Sequence, residues 1–173
     1  MSRRILQNSS NFVYRAVPSI SIMDIIFLKL AIEKSKESIK NSGFPVGVVL
    51  VANDKVLVDA TSNGKQLNDP TSHAEIAAIR DACSKLKTRS LNNVTLFSSM
   101  EPCIMCFGAC VWASIPKVVY ACGRKQLSKM HFEGTHVLSE INESTNKPLQ
   151  LVHIEELEEQ ALEVVQDWES SLK

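Results

Sequence analysis

The stretch Glu101-Pro102-Cys103-Ile104-Met105-Cys106 narrows the possible structures of this chain more than any other. Proline lacks the backbone N–H that would go unpaired in a first helical turn, so Pro102 marks a helix start. Cys103 and Cys106 are three residues apart, which puts both thiols on one face of that turn. The free N–H groups and the positive end of the helix dipole favour thiolate there. Two thiolates at this spacing suit a metal ion or a redox pair.

A structural zinc site normally takes four protein ligands, and the chain has no second C-x-x-C. The best-placed third ligand is His73, in Pro70-Thr71-Ser72-His73-Ala74-Glu75. Three ligands leave a fourth position open, which is the pattern of a catalytic zinc. Glu75 begins the same helix as His73, in reach of that open position, and suits a proton carrier outside the coordination shell. A redox pair alone leaves His73 and Glu75 unexplained. Ser72-x-x-Glu75 also reads as a capping box, in which Glu75 only satisfies a backbone N–H.

The rest of the chain alternates helices and strands. Asp24 is a candidate N-cap for an amphipathic helix with Ile25, Leu28, Ile32 and Ile39 on its apolar side, ended by Asn41-Ser42-Gly43. A hairpin follows, with Val46–Val51 buried on both faces, a turn at Asn53-Asp54, and Val56–Val58. A polar loop spans 61–70. The helix opened by His73 carries a stripe of Ile76, Ile79, Cys83 and Leu86. Val94–Ser98 reads as a strand, Cys103–Ala113 as the next helix, Val118–Ala121 as a strand, and Val137–Ile141 as a short helix. Leu149–Ile154 is a last strand. A C-terminal helix then aligns Leu157, Ala161, Val164, Val165, Trp168 and Leu172, with five glutamates solvating its first half. This order predicts an α/β fold with a partly parallel sheet and helices on both faces. Residues 1–22 read as a loosely ordered N-terminal extension and 23–173 as a single domain.

Nineteen basic residues balance nineteen acidic ones, so no global field favours nucleic acid or an anionic membrane. No apolar run is long enough to span a bilayer, and the start of the chain lacks a sustained signal-peptide core. Five cysteines, two of them in a C-x-x-C, without an export signal point to metal or redox chemistry rather than a disulfide framework, and to the cytoplasm. Cys83, Cys110 and Cys122 read as small core residues.

Residues 44–122 resemble the cytidine deaminase superfamily through His73-Ala74-Glu75 and Pro102-Cys103-Ile104-Met105-Cys106, matching the H-x-E…P-C-x-x-C signature of zinc deaminases. Asn68-Asp69-Pro70-Thr71-Ser72-His73-Ala74-Glu75-Ile76 and Glu101–Ala109 are similar to guanine deaminases and tRNA-specific adenosine deaminases in particular. The resemblance implies a three-layer α/β/α sandwich with a five-stranded mixed sheet and one zinc ion per subunit. It implies a hydrolytic exchange of an exocyclic amine for oxygen, with guanine or a related amino-heterocycle as the favoured substrate. Deamination of adenosine in tRNA, deamination of cytosine or cytidine, and a non-catalytic zinc-stabilised module are the alternatives. A homodimer is implied as well.

In the roles so implied, His73, Cys103 and Cys106 bind zinc and Glu75 shuttles protons. Trp112 stacks on the base by the same resemblance, or else packs on the core as a helix-end tryptophan. On its chemistry Asn63 is the candidate to hydrogen-bond the flat edge of a base, or else a turn residue beside Gly64; Ala74 is a further candidate substrate contact, and Phe132 closes the pocket or simply packs. Two positions depart from the guanine deaminase pattern. An asparagine eleven residues before the zinc histidine is Ser62 here, with Asn63 beside it. An acidic residue two places after the matching phenylalanine is Gly134 here.

Overall fold

The structure, a computed structural model, describes residues 20–127 and 134–173. The loose extension expected at the N-terminus falls mostly on residues outside these. Its last member, Ile22, already belongs to helix α1 (Ile22–Lys40). The cap of α1 is Ser21, not Asp24. Ser21 Oγ accepts the Asp24 N–H at 3.1 Å, and the Asp24 carboxylate accepts the Ser21 N–H at 3.0 Å. A serine at the N-cap with an acid three residues on satisfies two orphan donors at once, which a cap at Asp24 would not. The other Asp24 oxygen accepts from Lys117 Nζ at 2.7 Å and ties the start of α1 to the sheet.

The five strands are β1 (Gly47–Ala52), β2 (Lys55–Thr61), β3 (Thr95–Met100), β4 (Lys117–Cys122) and β5 (Gln150–His153). They lie in the order β2-β1-β3-β4-β5. β1 runs antiparallel to both its neighbours, whereas β3, β4 and β5 run parallel. Asn53 and Asp54 both adopt positive φ, as a two-residue turn joining twisted strands demands. The remaining helices are α2 (Gly64–Leu67), α3 (Ala74–Leu86), α4 (Ile104–Trp112), α5 (Leu138–Glu143) and α6 (Glu158–Ser171). The single turn of α2 falls inside the segment expected to be a polar loop.

Alternation along β1 separates the two cores. Val48 and Leu50 face a cluster with Ala74, Ala78 and Phe107, beneath α3 and α4. Val49 and Val51 face Phe27, Leu28, Ile32 and Val164, beneath α1 and α6. Both faces of the sheet are therefore covered, and the three-layer α/β/α architecture expected from the resemblance is present. Burial of side chains such as Leu50, Leu96 and Val118 stabilises the fold by about 1.5–3 kcal/mol each. The approach of α1 to β1 is close enough that a Cβ on Gly47 would meet Ala31 O at 2.3 Å. Among the described residues no helix is long and apolar enough to cross a membrane.

Two apolar stripes differ from expectation. On α3 the core contacts come from Ala74, Ala78, Ile79 and Ala82, because small side chains let the helix sit close to the sheet. Ile76 and Cys83 are only half-buried and Leu86 is exposed, so three members of the expected stripe line an outer groove or solvent instead. On α6, Leu172 falls past the last helical turn and is exposed, while Trp168 packs edge-on against Phe44 at 5.0 Å. Of the five glutamates at the start of that helix, Glu158 is turned inward to His153 and the Gly123 N–H.

Candidate active site

His73 and Cys103 occupy matching positions: each is the N-cap residue of its helix, in extended backbone conformation, with the chain turning helical immediately after. Because α3 and α4 pack side by side on one face of the sheet, the two helix starts meet above the carboxyl end of β3. The Cys106 N–H donates to Cys103 Sγ at 3.4 Å, so the first turn of α4 caps itself with the thiol. His73 being the cap also settles the role of Ser72-x-x-Glu75. Glu75 is the second residue of α3, so the capping-box reading fails and its carboxyl is left for the site.

His73 Nδ1 lies 3.6 Å from Cys103 Sγ and 3.5 Å from Cys106 Sγ. In a tetrahedral zinc site with ordinary bond lengths the nitrogen–sulfur edge is about 3.6 Å. The three ligand atoms lie within 4.8 Å of one another, and among the described residues they form the only such group. The donor set of one imidazole and two thiols suits zinc and leaves one position of the tetrahedron to substrate or solvent.

The electrostatics fit the same picture. A hydrogen bond from the Cys106 thiol, reinforced by His73, draws the Cys103 thiol down to about 4. The same bond, with burial and the Glu75 carboxylate, holds the Cys106 thiol far above its ordinary value. One thiolate and one thiol thus share a proton, which a dication displaces. Burial pushes Glu75 up to about 7, against the hydrogen bond from its own backbone N–H. A carboxyl poised there can both take and return a proton near neutrality. Burial likewise pushes the Cys110 thiol up, in keeping with an inert core residue.

A small cavity of about 40 Å³ opens onto these groups, lined by Phe44, Val46, Ser62, His73, Ala74, Glu75, Met100, Glu101 and Cys103. It contains Ala74, fully buried, among the residues expected to touch substrate. Asn63 does not line it; its side-chain oxygen instead accepts from Ser72 Oγ at 2.5 Å and braces the loop before His73. Trp112 is 89% exposed at the far end of α4, in a groove with Ile76, Ile79 and Arg80, and does not face the cavity of its own chain. Phe132 lies outside the described residues. Phe44, Val46, Ser62, Met100 and Glu101 are cavity residues that sequence patterns did not single out for substrate contact. Only Ser62 carried a signal, by its distance from His73.

The profile of the cytidine and deoxycytidylate deaminase zinc-binding region matches residues 22–122, and the chain belongs to that family. It is 35% identical over 119 residues to a tRNA-specific adenosine deaminase of Aquifex aeolicus, covering 69% of this chain and 76% of that one. It is 36% identical over 117 residues to a guanine deaminase of Bacillus subtilis, covering 67% and 75%. A solved guanine deaminase structure from Nitrosomonas europaea has the same fold, with a TM-score of 0.74 at 22% identity over 83% of each chain. The protein is therefore a zinc-dependent hydrolytic deaminase of the cytidine deaminase superfamily, acting on a carbon–nitrogen bond.

Proposed function

We propose that this deaminase acts on a free nucleobase or nucleoside, with guanine or a related amino-heterocycle as substrate. The observation that carries this reading is the lining of the cavity. Its walls are apolar at Phe44, Val46, Ala74 and Met100, and among the described residues its only formal charges besides the metal ligands are the carboxylates Glu75 and Glu101. Among the described residues no lysine or arginine lines it, whereas a site that seats a polyanion gathers basic residues to meet the phosphates.

In this reading His73, Cys103 and Cys106 hold the zinc, which when bound supplies a Lewis acid that activates water for attack. Glu75 accepts a proton from that water and delivers it to the departing amine, for which a pKa near 7 is well matched. Ala74 presents the backbone at the start of α3 to the base. Phe44 and Met100 cover its faces and exclude bulk water. The chain acts as a homodimer, with the exposed Trp112 at the contact, and works in the cytoplasm.

A tRNA adenosine substrate is the second reading, favoured by the similarity to the Aquifex protein. The two are separated by incubating the zinc-loaded protein with free bases, nucleosides and a tRNA transcript. Ammonia from guanine supports the first reading. Inosine in the transcript, with no ammonia from any base, supports the second.

A further inference from the structure

Glu101 and Arg124 leave neighbouring strands at the same level. β3 and β4 are parallel, with Met100 opposite Cys122, and the Glu101 N–H extends the ladder by one step to Cys122 O at 2.8 Å. The Glu101 carboxylate accepts the backbone N–H of Arg124 at 2.8 Å, and its other oxygen lies 3.6 Å from the guanidinium Nε. The guanidinium reaches on with its two remaining nitrogens. One donates to Gly134 O at 2.9 Å and the other to His136 Nε2 at 2.9 Å. The guanidinium thus spans three groups, with Nε at ion-pair rather than hydrogen-bond distance from Glu101, an arrangement that lysine cannot reproduce. Both side chains are largely withdrawn from water, at 15% exposure for Arg124 and 12% for Glu101.

The position of Glu101 gives this pair a functional meaning. Glu101 is two residues before Cys103 and lines the catalytic cavity. It also lines a separate polar cleft on its other side, with Tyr120, His153 and Glu158. It is therefore the partition between the two. On the catalytic side the Glu101 carboxylate is tethered at one oxygen by the Arg124 backbone N–H, and the guanidinium balances its charge and restrains the other oxygen. A buried carboxylate that loses its cation keeps its desolvation penalty and moves to relieve it. Towards the cavity it would bring a second negative charge beside Glu75 and a competing oxygen ligand towards the zinc.

We infer that Arg124 is a positioning residue for the deamination: it holds the Glu101 carboxylate in the partition, away from the metal site, and anchors Gly134 and His136 to the same wall. This inference rests on the deaminase reading of the site, and its guanine arm rests on the proposed substrate.

The test compares Arg124→Gln, Glu101→Gln and the double variant, in the full chain. Glu101→Gln still accepts the Arg124 N–H but carries no charge; because Glu101 itself lines the cavity, its kcat/KM for guanine is the reference against which the double variant is read. Arg124→Gln is expected to lower kcat/KM at least about thirtyfold, chiefly through KM, at unchanged zinc content. The double variant is expected to regain most of that loss, because the stranded charge is gone. A double variant no better than Arg124→Gln, or an Arg124→Gln enzyme with unaltered KM, overturns the assignment. A second arm needs no turnover. In protein loaded with Co²⁺, the visible absorption of the metal site is expected to shift in Arg124→Gln and to return in the double variant. An unshifted spectrum in Arg124→Gln overturns the assignment, whether or not guanine is the substrate. Arg124→Lys, which keeps the charge beside Glu101 but not the fork, guards against a fold lost with the cation and is expected to fall between parent and Arg124→Gln in both arms.

Discussion

His73 and Cys106 are 33 residues apart in the chain, yet Nδ1 of one lies 3.5 Å from Sγ of the other. That distance matches the nitrogen–sulfur edge of a zinc tetrahedron. The two helices that supply it, α3 and α4, rest on the same face of the sheet through Ala74, Ala78 and Phe107. Cys106→Ala is expected to weaken zinc binding by well over the roughly 10- to 100-fold typical of losing an outer partner of a ligand. Competition with a metallochromic chelator measures it.

Glu75 tests the division of labour within the site. It is 3% exposed and lies outside the group of three ligand atoms. Glu75→Gln keeps the shape and loses the proton carrier. Zinc content is expected to stay unchanged while kcat falls by about 10²- to 10⁴-fold. A parallel loss of zinc would assign Glu75 to the coordination shell instead.

The Asp24–Lys117 pair predicts how the fold responds to acid. Burial works to raise the Asp24 pKa, but the hydrogen bonds from Lys117 and Ser21 outweigh it and leave the group below its ordinary value. A group depressed in the folded state contributes stability above its unfolded pKa and loses that contribution as pH falls through the folded one. The stabilisation is thus complete at neutrality and fades below about pH 4. Asp24→Ala strands Lys117 beside a buried helix start, at a cost of about 3 kcal/mol at pH 7. Urea melts at pH 7 and pH 3 are expected to show the difference between parent and variant shrinking in acid.

Trp112 bears on assembly. A tryptophan 89% exposed beside Ile76 and Ile79 is an unusual surface for an isolated chain. Sedimentation velocity is expected to give a dimer for the parent chain and a monomer for Trp112→Asp. A parent chain that sediments as a monomer would remove the homodimer from the account.

Much of this structure was legible in the residues, and the failures have physical causes. Pro102 and the two cysteines marked the start of α4 because proline and paired thiols each carry a positional meaning. The hairpin turn at Asn53-Asp54 was equally plain, since few residues accept positive φ. The stripe on α3 was misread because alanine contributes little to an apolar period, although Ala74, Ala78 and Ala82 make the closest approach to the sheet. Asn63 was taken for a substrate contact on its chemistry, which cannot reveal that Ser72 already occupies its oxygen. The cavity walls were least visible. Phe44 comes from the segment before β1 and Met100 and Glu101 from the end of β3, and only the strand order β2-β1-β3-β4-β5 sets them side by side.

The most direct test of the central claim is ammonia release by the zinc-loaded chain from a panel of free bases, nucleosides, triazines and a tRNA transcript, with Glu75→Gln alongside. The account predicts ammonia from guanine or a related amino-heterocycle, and release at least about a hundredfold slower from the Glu75→Gln protein. Ammonia from no compound in the panel despite bound zinc, or equal release by Glu75→Gln, would contradict it.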